Sequence, residues 1–223
     1  MAYHFNDQYQ EEATLADGTR VLLRCIRPSD KHYLVEGLGH LSEQSRYLRF
    51  FTAKPVLSPQ ELKFLTEVDG ERHFALGALD MDCEPSLGTG VGIVRFIRLK
   101  DRPEVAEPAI VVVDEVQGRG LGRLLFRRLI AAALERGVTK FRCEVLATND
   151  RASHLIRSLA PQAVLHHGGS ETIIEFDLPK QDVADLSGDT THDGPLYHFF
   201  RIAAEGELAI RNTLNTIMSF WKE

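Results

Sequence analysis

Gly118, Gly120 and Gly122 stand at alternate positions where a β-branched run, residues 111–113 (Val111, Val112, Val113), meets the start of a helix. The first amides of a helix have no partner inside it, and the helix dipole puts positive potential at the same end. Glycine lets a bound group come close to the backbone. Together these features make a cradle for an anion such as a phosphate. Arg119 and Arg123 can add charge on either side. The competing reading is structural, with turn glycines ahead of an ordinary helix. Two phosphate motifs do not fit. GxxxxGK[ST] is absent, and Arg123 stands where a GxGxxG loop needs its third glycine. A dinucleotide reading also wants an acidic residue after the second strand, and Glu144 lies within that strand.

The elements that must position this loop can be read outward from it. Residues 109–113 read as a strand, 120–136 as a helix stopped by Gly137, and 140–146 as another strand with Phe141, Cys143 and Val145 on one face. A short helix over 149–159 and a strand over 171–178 follow. Upstream, 20–26, 73–81 and 91–97 read as strands, the last two as a hairpin joined by a turn-rich link. Ser29 or Asp30 can cap a helix through Leu34 and Leu38. Ser58, Pro59 and Glu61 form a helix-opening signal that sends Leu62, Leu65 and Val68 to the core. Strand and helix alternate over 109–178, so the expected fold class is α/β with a mixed sheet.

Residues 179–195 are polar and read as a linker. The segment 196–223 carries Leu196, Phe200, Ala203, Ile210, Leu214, Ile217 and Trp221 at three- and four-residue steps, with Glu207 the one exception. That spacing predicts an amphipathic helix, packed on its own domain or serving as a partner or homodimer helix.

Composition narrows the classes. Across 223 residues, 43% are hydrophobic and 26% charged, which suits a packed core. A net charge of -6 disfavours a general nucleic-acid binder. The three cysteines form no CxxC pair, so neither a zinc site nor a disulfide framework is expected. His166 and His167 have no nearby Cys or third His to complete a metal site. The sequence shows neither a secretory leader pattern nor an apolar run of 18 residues, so no membrane association and a cytoplasmic setting are expected.

Gln117-Gly118-Arg119-Gly120-Leu121-Gly122 resembles the Gln/Arg-x-x-Gly-x-Gly/Ala signature of the GNAT N-acetyltransferases. The resemblance extends to other places. Residues 24–51, with IRPSD and LSEQSRYLRFF, look like the amino-terminal part of the GNAT domains of bacterial protein-lysine acetyltransferases. Residues 106–112 resemble that subgroup's AExAVxV strand, and 144–149 its EVLAxN segment. It covers roughly residues 20–178. It implies a GNAT-type acyl-CoA N-acyltransferase fold: a mixed, mostly antiparallel central sheet flanked by helices, here with a C-terminal helical appendage. The implied division is an N-terminal extension over 1–19, the GNAT domain over 20–178, a linker over 179–195 and the C-terminal helix over 196–223.

The resemblance also implies roles. Acetyl-CoA is the co-substrate, no metal is needed, and the acceptor is an amine, with a protein lysine as the subgroup's example. The amides of Gln117, Gly118, Arg119, Gly120, Leu121, Gly122 and Arg123 hold the pyrophosphate. Val111, Val112 and Val113 pair with the pantetheine arm, and an N–H near Val112 or Val113 polarises the thioester carbonyl. Asn149 meets the same arm, or caps the helix that follows it. Glu107 is the general base, set against the plain reading of a solvated glutamate at a strand edge. Pro108 beside it suggests an edge or a bulge. Residues 148–178 contain no tyrosine to protonate the thiolate, which leaves Ser153 and His154 as candidates. Arg46 and Arg49 lie near the acceptor groove by resemblance, or on an amphipathic helix. The alternative function is a catalytically weak acyl-CoA-binding sensor acting through its C-terminal helix.

Overall fold

The computed structural model describes residues 3–43, 56–83, 90–146, 164–168, 171–179 and 210–211. Among them, nine strands form one sheet: β1 (Gln10–Thr14), β2 (Arg20–Cys25), β3 (His73–Asp80), β4 (Gly90–Arg98), β5 (Val105–Val112), β6 (Lys140–Leu146), β7 (Val164–Gly168), β8 (Glu171–Asp177) and β9 (Ile210–Arg211). The order is β1-β2-β3-β4-β5-β6-β8-β7, with β9 pairing β6 off that path. All neighbours are antiparallel except β5 and β6. Three helices are described: α1 (Lys31–Gly39), α2 (Pro59–Thr66) and α3 (Leu121–Glu135).

The mixed, mostly antiparallel sheet agrees with expectation, and the differences lie at its ends. β5 begins at Val105, four residues before the strand read over 109–113 in the sequence. The segment expected as an extension before residue 20 is part of the domain. β1 pairs with β2 along its length, and Phe5, Tyr9 and Leu15 are buried in the main core. β7 had no counterpart in the sequence reading. Of residues 196–223 only Ile210–Arg211 are described, and they form a strand, so the expected helix does not run unbroken through that point. The helix expected over 149–159, most of the segment 41–51 and the expected linker from residue 180 lie outside the described residues.

α3 joins the one parallel pair. A parallel connection needs a crossover, and a helix supplies it. Its apolar stripe, Leu121, Leu125, Leu129 and Ala132 with Phe126, Ile130 and Ala133, is buried. It meets Ala106, Ile110 and Val112 of β5 and Phe141 of β6 in the main core. The Gly137 N–H donates to the Leu134 carbonyl at 3.0 Å, and Gly137 has φ +75, the left-handed stop expected of it. On the opposite face of the sheet, α1 and α2 form a smaller cluster around Leu38, Leu41, Leu57 and Leu65, with Val111 packed against it. α2 opens with the expected capping box: Glu61 N–H donates to Ser58 Oγ, and Ser58 N–H to the Glu61 carboxylate at 2.8 Å.

Asp30 does not cap α1 with its side chain. It accepts from both terminal nitrogens of Arg24, at 2.7 and 2.8 Å, and from the Arg27 N–H at 2.8 Å. Both side chains of the pair are buried. Burial alone would raise the Asp30 carboxyl. The hydrogen bonds from Arg24 and Arg27 and their charges outweigh it and hold the carboxyl below its usual range. A two-pronged pair of this kind fixes β2 against the start of α1.

Arg24→Ala strands that carboxylate and should cost about 3 kcal/mol of stability, the lower end for a buried pair that loses one partner. Because the folded pKa is lowered, the pair's stabilisation is complete above the ordinary aspartate value of about 3.9 and fades as pH falls toward the folded value. Urea unfolding across that range should show a shallower acid loss in the variant than in the parent.

Candidate active site

β5 and β6 pair only at Val105–Lys140 and Ala106–Phe141. Beyond these residues the two strands part, while β5 keeps an unbroken register with β4 from Ala106 to Val112. Backbone direction decides what faces the opening. Leu99 N–H donates to the Val105 carbonyl at 2.9 Å and Val113 N–H to the Val91 carbonyl at 3.1 Å. Odd-numbered backbone groups of β5 are therefore spent on β4, and those of Ala106, Pro108, Ile110 and Val112 face the gap. The expected bulge at Pro108 is not present, since its pairing with Phe96 falls in a continuous register. The edge reading describes it better, because the N–H that proline lacks would point where β6 has already left. Of the two amides considered for carbonyl polarisation, Val113 is occupied by Val91, which leaves Val112.

The glycine loop closes one end of the gap. Val113 leads into a 3-10 turn, Asp114–Val116, and Gln117 follows in extended conformation. The Gln117 side-chain amide donates to the Val112 carbonyl and to Asp114 Oδ1, both at 3.1 Å, and so ties the loop to the strand end. Gly118 and Gly120 have φ +75 and +93, which L side chains adopt only with strain. Gly120 is the N-cap of α3. Among the described residues, the N–H groups of Gly118, Arg119, Gly120, Leu121 and Gly122 meet no acceptor, and Gly118 and Gly120 are exposed. That row of unspent donors at a helix start is an anion site by construction. Arg119 is turned elsewhere: its guanidinium pairs with Asp17 at 2.6 Å. Its carbonyl accepts from the Ala16 N–H at 3.3 Å. The loop is thereby pinned to the β1–β2 turn. Arg123, in the first turn of α3, is half-buried.

Glu107 is half-buried on β5, opposite Ile97. Its charge adds to burial in pushing the Cys143 thiol far above the usual cysteine range, so Cys143 is an inert buried thiol. Five residues separate Glu107 from Val112, about 17 Å of strand. Asn149, Ser153, His154, Arg46 and Arg49 lie outside the described residues.

On the α1/α2 face of the sheet, an apolar cavity of about 100 Å³ lies against Val111, Val113, Leu38 and Leu65, with Arg24, Asp30 and Arg95 at its wall. Arg95 escaped the sequence reading, although a charge amid the apolar residues of β4 is a visible signal. It is 3% exposed, donates to His73 Nε2 at 3.0 Å and to the Leu65 carbonyl at 3.2 Å, and so ties β3, β4 and α2 together. Burial, then the Arg95 charge, pushes His73 down to about 3, with Asp69 opposing. A neutral ring accepting at Nε2 agrees with that.

A mostly antiparallel sheet that splits beside a helix-capping glycine loop defines an acyl-CoA N-acyltransferase architecture, and residues 43–160 match the acetyltransferase (GNAT) family. The chain belongs to the GNAT acetyltransferase family. It is similar to acetyltransferase Pat of Mycolicibacterium smegmatis, 32% identical over 161 residues, which are 72% of this chain and 46% of that protein. Acetyltransferase PA5475 of Pseudomonas aeruginosa is 30% identical over 146 residues, 66% of this chain and 75% of that protein. The structure superposes on the GNAT domain of S. lividans PAT with a TM-score of 0.64 at 27% identity, over 78% of this chain and 99% of that domain. The chain thus spans less than half the length of Pat. Among the described residues, no helix is long and apolar enough to cross a membrane.

The native state holds His73 neutral down to about pH 3. An unfolded histidine takes up its proton near pH 6.5. Stability should therefore fall as pH drops through that interval, and His73→Gln should flatten that part of the profile. Urea midpoints measured from pH 7 to pH 4 check the sign.

Proposed function

We infer that the protein transfers an acetyl group from acetyl-CoA to a primary amine, with a protein lysine as acceptor, in a cytoplasmic setting. The observation that carries this reading is the pairing of two features on one strand. The row of unspent amides at 118–122 sits at one end of β5, and a split sheet edge runs from it toward Glu107. A diphosphate fits the amides. A pantetheine arm, with its peptide-like amide groups, fits the outward-facing backbone of Ile110 and Val112. Family membership supports both assignments. The lysine acceptor rests on the likeness of residues 20–178 to the GNAT domains of bacterial protein-lysine acetyltransferases.

In the proposed reaction the cofactor supplies a thioester, and the chain supplies orientation, a proton acceptor and a carbonyl donor. Gly118, Arg119, Gly120, Leu121, Gly122 and Arg123 present amides to the diphosphate, and Gln117, whose own N–H donates to the Asp114 carbonyl, holds the loop in place. Arg119 acts through its backbone, since its side chain holds Asp17. Of residues 111–113, Val112 turns its backbone to the arm while Val111 and Val113 hold the strand on β4, and Asn149 meets the same arm. A lysine ammonium has a pKa near 10.4 and must lose a proton before attack. The Glu107 carboxylate takes it through water, which bridges the distance along β5 between Glu107 and Val112. The Val112 N–H, aimed at the gap, donates to the carbonyl oxygen as negative charge develops there. The amine nitrogen bonds to the carbonyl carbon, the carbon–sulfur bond breaks, and the second proton given up by that nitrogen completes the thiol of the departing coenzyme A.

Two variants test this. Glu107→Gln should retain coenzyme A affinity and lose about 10²-fold or more in rate with acetyl-CoA and a panel of proteins and amines read by mass spectrometry. Equal rates in variant and parent would remove Glu107 as the base, whereas coenzyme A binding without transfer by the parent would favour an acyl-CoA sensor over an enzyme. Gly120→Glu places a bulky anion at a left-handed position inside the cradle. It should abolish the thermal stabilisation by coenzyme A that the parent shows, about 2.7 kcal/mol at a hundredfold excess over Kd.

A further inference from the structure

β9 is two residues long, and its position says more than its length. It pairs antiparallel with β6 through Glu144–Arg211 and Val145–Ile210. One edge of β6 is already filled, because β8 pairs with it without a break from Lys140–Asp177 to Leu146–Glu171. β9 must therefore lie along the other edge, the one that faces β5. Backbone direction agrees. Leu178 N–H donates to the Thr139 carbonyl at 2.8 Å on the β8 side, whereas Lys140 N–H donates to Glu104 at 3.2 Å on the β5 side. Alternation along β6 then turns the backbone groups of Glu144 toward β5 and β9.

The level along the gap is also fixed. Ala106 pairs with Phe141 at the last point of contact between β5 and β6. Counting forward in parallel, Glu144 and Val145 stand level with Ala109 and Ile110. β9 thus enters the split sheet between Glu107 and Val112, beside the stretch of β5 that β6 no longer pairs.

We propose that this carboxy-terminal strand is a built-in competitor of the cofactor, occupying the split between β5 and β6 that the pantetheine arm must enter. The proposal rests on the coenzyme A reading of the site. Its chemistry is that of strand addition, in which an open sheet edge accepts any extended chain with amide spacing. Neighbouring strands stand about 4.8 Å apart, so a strand and an extended arm at the same level need the same space. The partner of the open edge is the chain's own segment through Ile210–Arg211. Cofactor binding and strand docking are then mutually exclusive, and each weakens the other by the same factor.

The test uses the full chain. In the native protein, saturating coenzyme A should raise deuterium uptake at the amides of Ile210–Arg211. The double variant Ile210→Pro/Arg211→Pro cannot sustain the ladder. It should bind coenzyme A about five- to tenfold more tightly, as expected when a competing state is removed. The uptake measurement needs no variant, so it decides the matter even if the prolines disturb folding. Coenzyme A binding by the native chain with unchanged uptake at Ile210–Arg211 would overturn the strand proposal and leave the cofactor reading intact. No coenzyme A binding by either protein would overturn both.

Discussion

Two parallel strands share two residue pairs and then part, and most of what this domain can do depends on that parting. β5 is held on one side by β4 over its whole later length, so it cannot follow β6 as β6 turns away. The cost is a row of backbone groups that have no ladder partner among the described residues, which a folded protein rarely tolerates in its interior. Pro108 lowers that cost, since it removes one donor from the row. Gln117 lowers it further by donating to the Val112 carbonyl. What remains, at Ile110 and Val112, is an edge prepared for an extended ligand with amides of its own.

The glycine loop works only because the strand end places it. Gln117 ties the loop to Val112 and Asp114, and the Arg119–Asp17 pair ties it to the β1–β2 turn. These contacts hold the loop from both sides and leave its amides facing outward. An arginine that looks, in sequence, like a cofactor contact thus contributes by anchoring the backbone. The segment before residue 20 matters for the same reason, because Asp17 belongs to the turn that completes the cradle's support.

The opposite face of the sheet is organised by buried charge. Arg24 with Asp30, and Arg95 with His73 and the Leu65 carbonyl, join β2, β3 and β4 to α1 and α2 around the apolar cavity. Pairs of this kind add little net stability compared with well-packed apolar residues, but breaking one is costly. They fix the helices over the sheet in one position, and the cavity between them lies against Val111 and Val113 of the proposed cofactor strand.

The sequence by itself determined the loop, the helix behind it and the likeness to the GNAT family, because these depend on local spacing: alternate glycines, a β-branched run and a capping box are all short-range signals. It also carried most strands and the α/β class through hydrophobic periodicity. Only the tertiary structure decided where β5 and β6 separate, since nothing in either strand's own pattern says how far its partner follows. It decided that Val113 is spent on Val91, that Arg119 faces Asp17, and that Asp30 serves Arg24 in place of the helix start. It also put a strand at Ile210–Arg211, where a three- and four-residue apolar rhythm predicted helix. An open sheet edge offers backbone hydrogen bonds to any segment that reaches it, and such a long-range partner leaves no mark in the periodicity of the segment that it captures.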